Sequence, residues 1–369
     1  MEAVDVVGAG AIGVTVGYAL AAAGVTVRFV EASPSKLEAG RRLGVQLYGQ
    51  PALPAEFIPF EIWKPVQSRL VFLCTKCYDN AEVLSRLTTD AQLVPVQNGR
   101  DPLLEKLSHP CAGVAAFVAR CEPDKPLARV TRRGSVYVGS RIGPAGTRPA
   151  RLIAGLLRRS GLLTVRWVKD IRPIQATKLW YNATIAPLAT IAGVDNAALL
   201  EQAGLRRLFL ALLAENYRIL RGAGVSLGWL GPLPPAGVAW LLRRPWLIDW
   251  LAPRMARSLR GTYCSMIGEM RRGRTELEYY TGQLLRYAHQ AGLAAPLNAA
   301  LYERIQHWTS LRIEAHPALL DELVASLLGA PTTGLSNKRG YDYRVEGGWN
   351  NCGPGDLSSP VDSSSSKVA

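Results

Sequence analysis

Over roughly the first 170 residues, the pattern of apolar and polar positions switches repeatedly between short buried-strand runs and longer stretches of helical spacing. Residues 4–7 are a short apolar strand, 12–23 carry small and apolar residues at helical density, and 25–30 return to a strand pattern. The spacing then predicts a helix over 35–42 and a weak strand over 45–47. A buried strand follows over 70–75, and Asp79 is expected to cap a helix that runs to residue 87. Residues 93–96 form another strand closed by Asn98-Gly99, and 103–107 begin a further helix. More strands are expected between 113 and 168, among them 136–138 and 164–168. Strands alternating with helices predict a parallel sheet with right-handed crossovers.

After Asp170 the period becomes 3.6 residues, and helices are expected over 175–191, 198–220, 265–278, 277–290 and 311–328. The fold class is therefore α/β: an N-terminal domain built on a doubly wound parallel sheet over 1–170, and an all-α C-terminal domain over 171–329. The segment 228–253 stands apart, because Trp229, Trp240, Trp246 and Trp250 are interleaved there with prolines and Arg243-Arg244. Its residues suit a lid over a cleft, an oligomer contact or a membrane surface, and lid or oligomer contact is the preferred reading. The tail 330–369, rich in Gly, Ser, Asn and Pro, cannot bury enough apolar surface to order itself and is expected to be disordered.

Composition narrows the class. A chain of 369 residues with 48% hydrophobic and 20% charged residues is not wholly disordered. Lys and Arg outnumber Asp and Glu by 43 to 29, for a net charge of +14. The basic residues are scattered, with no basic tail, zinc-finger spacing or aromatic RNA-binding signature, so anionic small molecules are better partners than nucleic acid. Six cysteines are too few for a disulfide scaffold and suit a reducing compartment. The charge-free run from 6 to 27 is long enough to span a bilayer, yet five glycines interrupt it and Glu2 and Asp5 precede it. It reads as strand, glycine turn and helix, and the protein is expected to be soluble and cytoplasmic.

The chemistry begins in that turn. Gly8, Ala9, Gly10, Ala11, Ile12 and Gly13 fit G-x-G-x-x-G directly after a strand and at the start of a helix, the context a dinucleotide pyrophosphate requires. Glu31 closes the second strand, where an acid bonds the adenosine ribose and disfavours a 2′-phosphate. Arg28, Lys36, Arg41 and Arg42 lie near enough to offset it, which leaves NADP or NAD open. Lys76 leaves the carboxyl end of a strand and is a candidate for anchoring cofactor or an acidic substrate. Asn98 closes the neighbouring strand, either as a turn residue or to orient a nicotinamide and a carbonyl. Cys74 and Cys77 match C-x-x-C without a second pair, so no metal site is expected. Lys178 and Asn182 share a helix face beside Gln175, and apolar neighbours of Lys178 would depress its pKa toward a range useful in proton transfer. Ser265 and Glu276 flank Gly273.

Together these segments resemble the ketopantoate reductase (2-dehydropantoate 2-reductase) family over roughly residues 3 to 328. The matching stretches are GAGAIG at 8–13, FLCTKCYDNAEV at 72–83, QNG at 97–99, KLWYNATIAPLATI at 178–191 and CSMIGEMRRGRTELEYYTGQLL at 264–285. The resemblance implies a Rossmann domain, a helical domain and an active-site cleft between them. It implies reduction of a 2-oxo acid, 2-dehydropantoate to pantoate on the route to coenzyme A, by hydride from NADPH or NADH. Lys178 takes the place of the general acid, with Glu276 beside it as a catalytic residue that orients the lysine or a substrate hydroxyl. Lys76 and Asn98 match positions that place nicotinamide and substrate, and Asn98, Asn182, Ser265 and Glu276 match substrate contacts. Three departures stand out. Ala186 replaces a second asparagine one turn beyond Asn182, Ser265 and Glu276 are one residue closer than expected, and Glu31 stands where an arginine is usual. They keep two other readings open: a paralogue acting on a different 2-oxo acid or ketone, and a non-catalytic dinucleotide-binding sensor. The expected partners are a small-molecule 2-oxo acid and a second copy of the chain, with no nucleic acid and no membrane.

Overall fold

The structure, a computed structural model, describes residues 3–66, 69–88, 92–107 and 109–328. The tail expected to be disordered, 330–369, lies outside the described residues. The chain opens with β1 (Ala3–Val7), α1 (Ala11–Ala22), β2 (Thr26–Glu31), α2 (Pro34–Leu43), β3 (Gln46–Leu47), β4 (Glu56–Pro59), β5 (Leu70–Leu73), α3 (Asn80–Leu84) and β6 (Gln92–Pro95). Five of these strands form one all-parallel sheet in the order β4-β2-β1-β5-β6. The order reverses between β1 and β5, which places a ligand crevice at the carboxyl ends of those two strands.

Both faces of the sheet are buried, which explains the continuous apolar runs. Val4, Val6, Leu70 and Phe72 join one core with α1, while Val7, Val71, Leu73 and Trp63 join another on the opposite face. The one charge inside β1, Asp5, is fully buried and accepts hydrogen bonds from Arg28 Nε and Nη2, Arg69 Nη1 and Trp63 Nε1. A buried carboxylate needs such partners, so Arg28 is committed to the sheet interior and is not free to offset Glu31.

The chain continues through α4 (Pro102–Lys106), β7 (Cys111–Ala115), β8 (Val118–Cys121), β9 (Leu127–Arg132), β10 (Ser135–Ser140), α5 (Thr147–Arg159) and β11 (Thr164–Val168). They make two three-stranded sheets, β11-β10-β7 and β3-β9-β8. The helical part follows: α6 (Arg172–Ala192), α7 (Ala198–Glu201), α8 (Ala203–Gly222), α9 (Pro235–Leu242), α10 (Pro245–Arg257), α11 (Gln283–Gln290), α12 (Pro296–Ser310) and α13 (Pro317–Leu328). It has a core of its own, in which Leu179, Trp180, Leu208, Leu212, Tyr280, Leu301 and Trp308 meet.

Four predicted elements differ. The helix expected over 265–278 is a chain of turns with one 3-10 turn (Met270–Arg272), ended by Gly273 at φ +75°. The helix expected over 198–220 is divided by Gln202, whose extended backbone separates α7 from α8. Helix α13 begins at Pro317 rather than at 311, since proline suits the first turn and cannot donate within a helix. Asp79 does not cap α3 with its side chain and instead pairs with Arg274 at 3.5 Å.

Candidate active site

The glycine turn is shaped for a diphosphate. Gly8 has φ +94° and lies against Thr75, and Gly13 packs so close that a Cβ there would sit 1.9 Å from the Gly8 carbonyl oxygen. At Gly10, by contrast, a Cβ would meet nothing within 4 Å, which leaves the turn open on its outer side. No side chain caps α1, so its first N–H groups are available to an anion. These features fit a dinucleotide, whose pyrophosphate residues 8–13 would hold.

Glu31 is built into the same turn. Its carboxylate accepts from the N–H of Ala9 at 2.9 Å, of Ala32 at 2.9 Å and of Ser33 at 3.0 Å. Lys36 Nζ donates to the Ala9 carbonyl at 3.0 Å, and Arg41 donates to the Phe57 carbonyl. Glu31 is thus fixed at the end of β2 where a ribose would lie, and two of the four nearby cations are directed at backbone oxygens.

At the carboxyl ends of β5 and β6, a polar lattice ties the two loops together. Gln97 Nε2 donates to the Thr75 carbonyl at 2.8 Å and to Asn80 Oδ1 at 2.7 Å, and Asn80 Nδ2 donates to Asp101 at 2.6 Å. Cys77 Sγ donates to the Asn98 carbonyl at 3.0 Å. The Asn98 side-chain amide has no hydrogen-bond partner among the described residues, so it is available to a ligand.

Lys76 projects from this framework onto the helical part. Its Nζ lies 2.5 Å from Glu276 Oε2 and 2.7 Å from Glu269 Oε1, and donates to the Ser265 carbonyl at 2.8 Å. Glu276 is 1% exposed and Glu269 2%, so both carboxylates are effectively inside the protein. Burial opposes the Lys76 charge, but Glu276 and Glu269 overcome it and hold the ammonium above its usual pKa. Burial raises the Glu269 pKa against the pull of Lys76. Glu269 also accepts the Glu276 N–H at 3.0 Å, which secures the turn carrying Glu276. Ser265 Oγ and Tyr280 OH each approach Glu276 Oε2 at 3.4 Å. A wide turn of π-helix (Glu278–Gly282) leads into α11 and carries Tyr280.

Lys178 has a different environment. It lies on α6 and donates to the carbonyl of Ala115, the last residue of β7, at 2.9 Å. No carboxylate pairs with it among the described residues, and burial alone lowers its pKa to about 8. Trp180 stacks on Tyr181 at 5.1 Å and anchors α6 to α8 by donating to the Leu213 carbonyl. Asn182 is half-buried, with no hydrogen-bond partner among the described residues, and Ala186 is buried one turn further on.

The structure therefore joins Lys76, Ser265 and Glu276 directly, and brings Asn98 to them through Cys77. It places Lys178 and Asn182 on one helix. Glu276 is bonded to Lys76, and no hydrogen bond joins it to Lys178 among the described residues. The residue that sequence reasoning missed is Glu269. Its only signal was an acid four positions after Ser265, in a stretch that reads as an ordinary helix.

Two family models match the chain: "Ketopantoate reductase PanE/ApbA" over residues 4–140 and "Ketopantoate reductase PanE/ApbA C terminal" over 170–308. A 2-dehydropantoate 2-reductase of Archaeoglobus fulgidus is 24% identical over 311 residues, covering 83% of this chain and 97% of that relative. Among solved structures, a PanE/ApbA family ketopantoate reductase from Ralstonia eutropha JMP134 superposes with a TM-score of 0.68 at 22% identity, covering 84% of this chain and 99% of the other. D-mandelate dehydrogenase, solved with NADH and anilino(oxo)acetate, gives a TM-score of 0.69 at 20% identity over the same shares of the two chains.

Proposed function

Because the chain belongs to the ketopantoate reductase PanE/ApbA family, and is an NAD(P)-dependent oxidoreductase, we propose that it reduces 2-dehydropantoate to pantoate. The reduced nicotinamide, when bound, supplies the hydride. The chain's own residues supply position and a proton. Residues 8–13 and the start of α1 hold the pyrophosphate, Glu31 holds the adenosine ribose, and Lys76 and Asn98 place the nicotinamide and the substrate carbonyl. Asn182, Ser265 and Glu276 hold the 2-oxo acid.

Lys178 is the proposed general acid. The observation that carries this reading is its solitary environment: with no carboxylate beside it among the described residues and a pKa of about 8, its ammonium is mostly charged near neutrality. It can therefore give its proton to a carbonyl oxygen as negative charge develops there, the condition for efficient general acid catalysis. Lys76, paired with two glutamates, retains its proton and serves as a fixed hydrogen-bond donor.

A second reading, reduction of another 2-oxo acid, is favoured by the buried methyl of Ala186 one turn beyond Asn182, where the resemblance calls for an amide. Oxidation of NADH and NADPH by the purified protein, followed with 2-dehydropantoate and with a panel of 2-oxo acids, distinguishes the two. Turnover of 2-dehydropantoate that vanishes in Lys178→Ala supports the first reading. Turnover confined to another acid selects the second. Cofactor binding without any turnover selects a dinucleotide sensor.

A further inference from the structure

Helix α10 carries apolar residues on the face it turns to solvent. Ile248, Ala252 and Ala256, spaced at i, i+4 and i+8, are its buried stripe; Ala256 meets Leu200 of α7, and Asp249 pairs with Arg206 of α8 at 2.7 Å. The opposite stripe is Trp246, Trp250, Arg254 and Arg257, at i, i+4, i+8 and i+11. A helix packed on a core normally directs charge outward, yet here the outward stripe begins with two indoles that are 69% and 62% exposed. Trp240 on α9 is 50% exposed and has the Arg244 guanidinium 3.9 Å from its ring centroid, and Arg254 lies 4.9 Å from that of Trp250.

The charge around these rings has one sign. Arg243, Arg244, Arg254, Arg257 and Arg260 lie along this segment. The one acid within it, Asp249, is paired with Arg206, and Glu201 is paired with Arg260 at 2.9 Å. A two-fold contact with a second copy would press arginine against arginine. An anionic bilayer surface offers both complements: phosphates for the guanidiniums and an interfacial zone in which indole rings settle.

We propose that the α9–α10 face docks this protein on anionic lipid bilayers, with Trp246 and Trp250 entering the headgroup layer and the arginines on the lipid phosphates. The attachment is peripheral, since no helix among the described residues is long and apolar enough to cross a membrane. It departs from the expectation of no membrane partner, because the sequence alone did not reveal that the α10 tryptophans face away from the core.

The test is flotation of the full-length protein with vesicles of phosphatidylcholine alone and of phosphatidylcholine mixed with phosphatidylglycerol. Binding is expected to the anionic vesicles, to weaken with added salt, and to fall about fivefold for each of Arg254→Gln and Arg257→Gln. The double variant Trp246→Ala/Trp250→Ala is expected to lose most of the binding while keeping its circular dichroism spectrum and nicotinamide binding. Absence of binding to either vesicle, or equal binding to both, overturns the proposal. A dimer measured by light scattering in vesicle-free buffer and abolished by the double tryptophan variant also overturns it, and assigns the face to a second copy.

Discussion

The two lysines of the candidate site have opposite electrostatic situations. Lys76 is held between Glu276 and Glu269 and has its pKa raised, whereas Lys178 has a carbonyl for company and has its pKa lowered to about 8. Burial acts on both in the same direction; the carboxylates make the difference. One cation is locked in its charged form and joins the nucleotide-binding part to the helical part. The other is held close to losing its proton, the property wanted in a group that must give one away. The contrast teaches that lysine identity says little about role until the neighbouring acids are counted.

The comparison can be broken most severely at Lys178. Lys178→Met is expected to cut the reduction rate by about 10²–10⁴-fold, the usual contribution of a general acid. The same change removes a poorly compensated charge and is expected to raise stability by roughly 1–2 kcal/mol, allowing for the partial exposure of the site. Steady-state kinetics and thermal melts of one preparation check both halves; a rate left intact would remove Lys178 from the mechanism.

Lys76→Met should act the other way. It strands two buried carboxylates and is expected to cost about 3 kcal/mol, read as a lower midpoint in urea. Protonating Glu269, whose pKa burial already raises, offsets part of the loss, so the deficit is expected to shrink as the pH falls.

The pH dependence sharpens the contrast. Because the folded-state pKa of Lys178 lies below its ordinary value of 10.5, the unfolded chain binds more protons between about 8 and 10.5, and stability from this group rises with pH across that window. The stability gap between wild type and Lys178→Met is therefore expected to close over the same window. Lys76, with its pKa raised, stabilises fully below 10.5 and loses that contribution only as pH rises through its folded value. The reduction rate is expected to fall as pH rises through about 8 in the wild type; a flat profile would count against Lys178 as the proton donor.

The smallest effect belongs to Glu269. Glu269→Gln keeps an oxygen for one of its two partners and leaves Lys76 paired with Glu276, so a loss of about 1 kcal/mol is expected, with Glu269→Ala costing more. Equal melts for all three proteins would show that the second carboxylate is dispensable.

Much of this arrangement was legible beforehand, for local reasons. The glycine turn and the strands around it follow from short-range pattern, since β5 is an unbroken apolar run and the apolar runs of β1 and β2 are interrupted inside the sheet by the mutually paired Asp5 and Arg28. Lys178 was legible because its helix neighbours Leu179, Trp180 and Tyr181 announce the desolvation. The Lys76–Glu276 pair was not, because 200 residues separate its members and no periodicity links them. Glu269 was hidden by the apparent helix over 265–278, which Gly273 ends and the Lys76 contacts fold into turns. Helix α5 was missed because Pro149 and the flanking arginines obscure a buried stripe of Ile153, Ala154 and Leu157.

The hydrogen bond from Ala9 N–H to Glu31 has a consequence for how cofactor preference could change. The carboxylate proposed to meet the ribose also accepts a backbone N–H of the glycine turn proposed to meet the diphosphate. Exchanging Glu31 for a basic side chain would admit a 2′-phosphate, but it would withdraw the acceptor of a main-chain amide inside that loop. Switching this protein between its two dinucleotides is therefore a coupled trait, in which a change at Glu31 also leaves the Ala9 amide in need of a new acceptor.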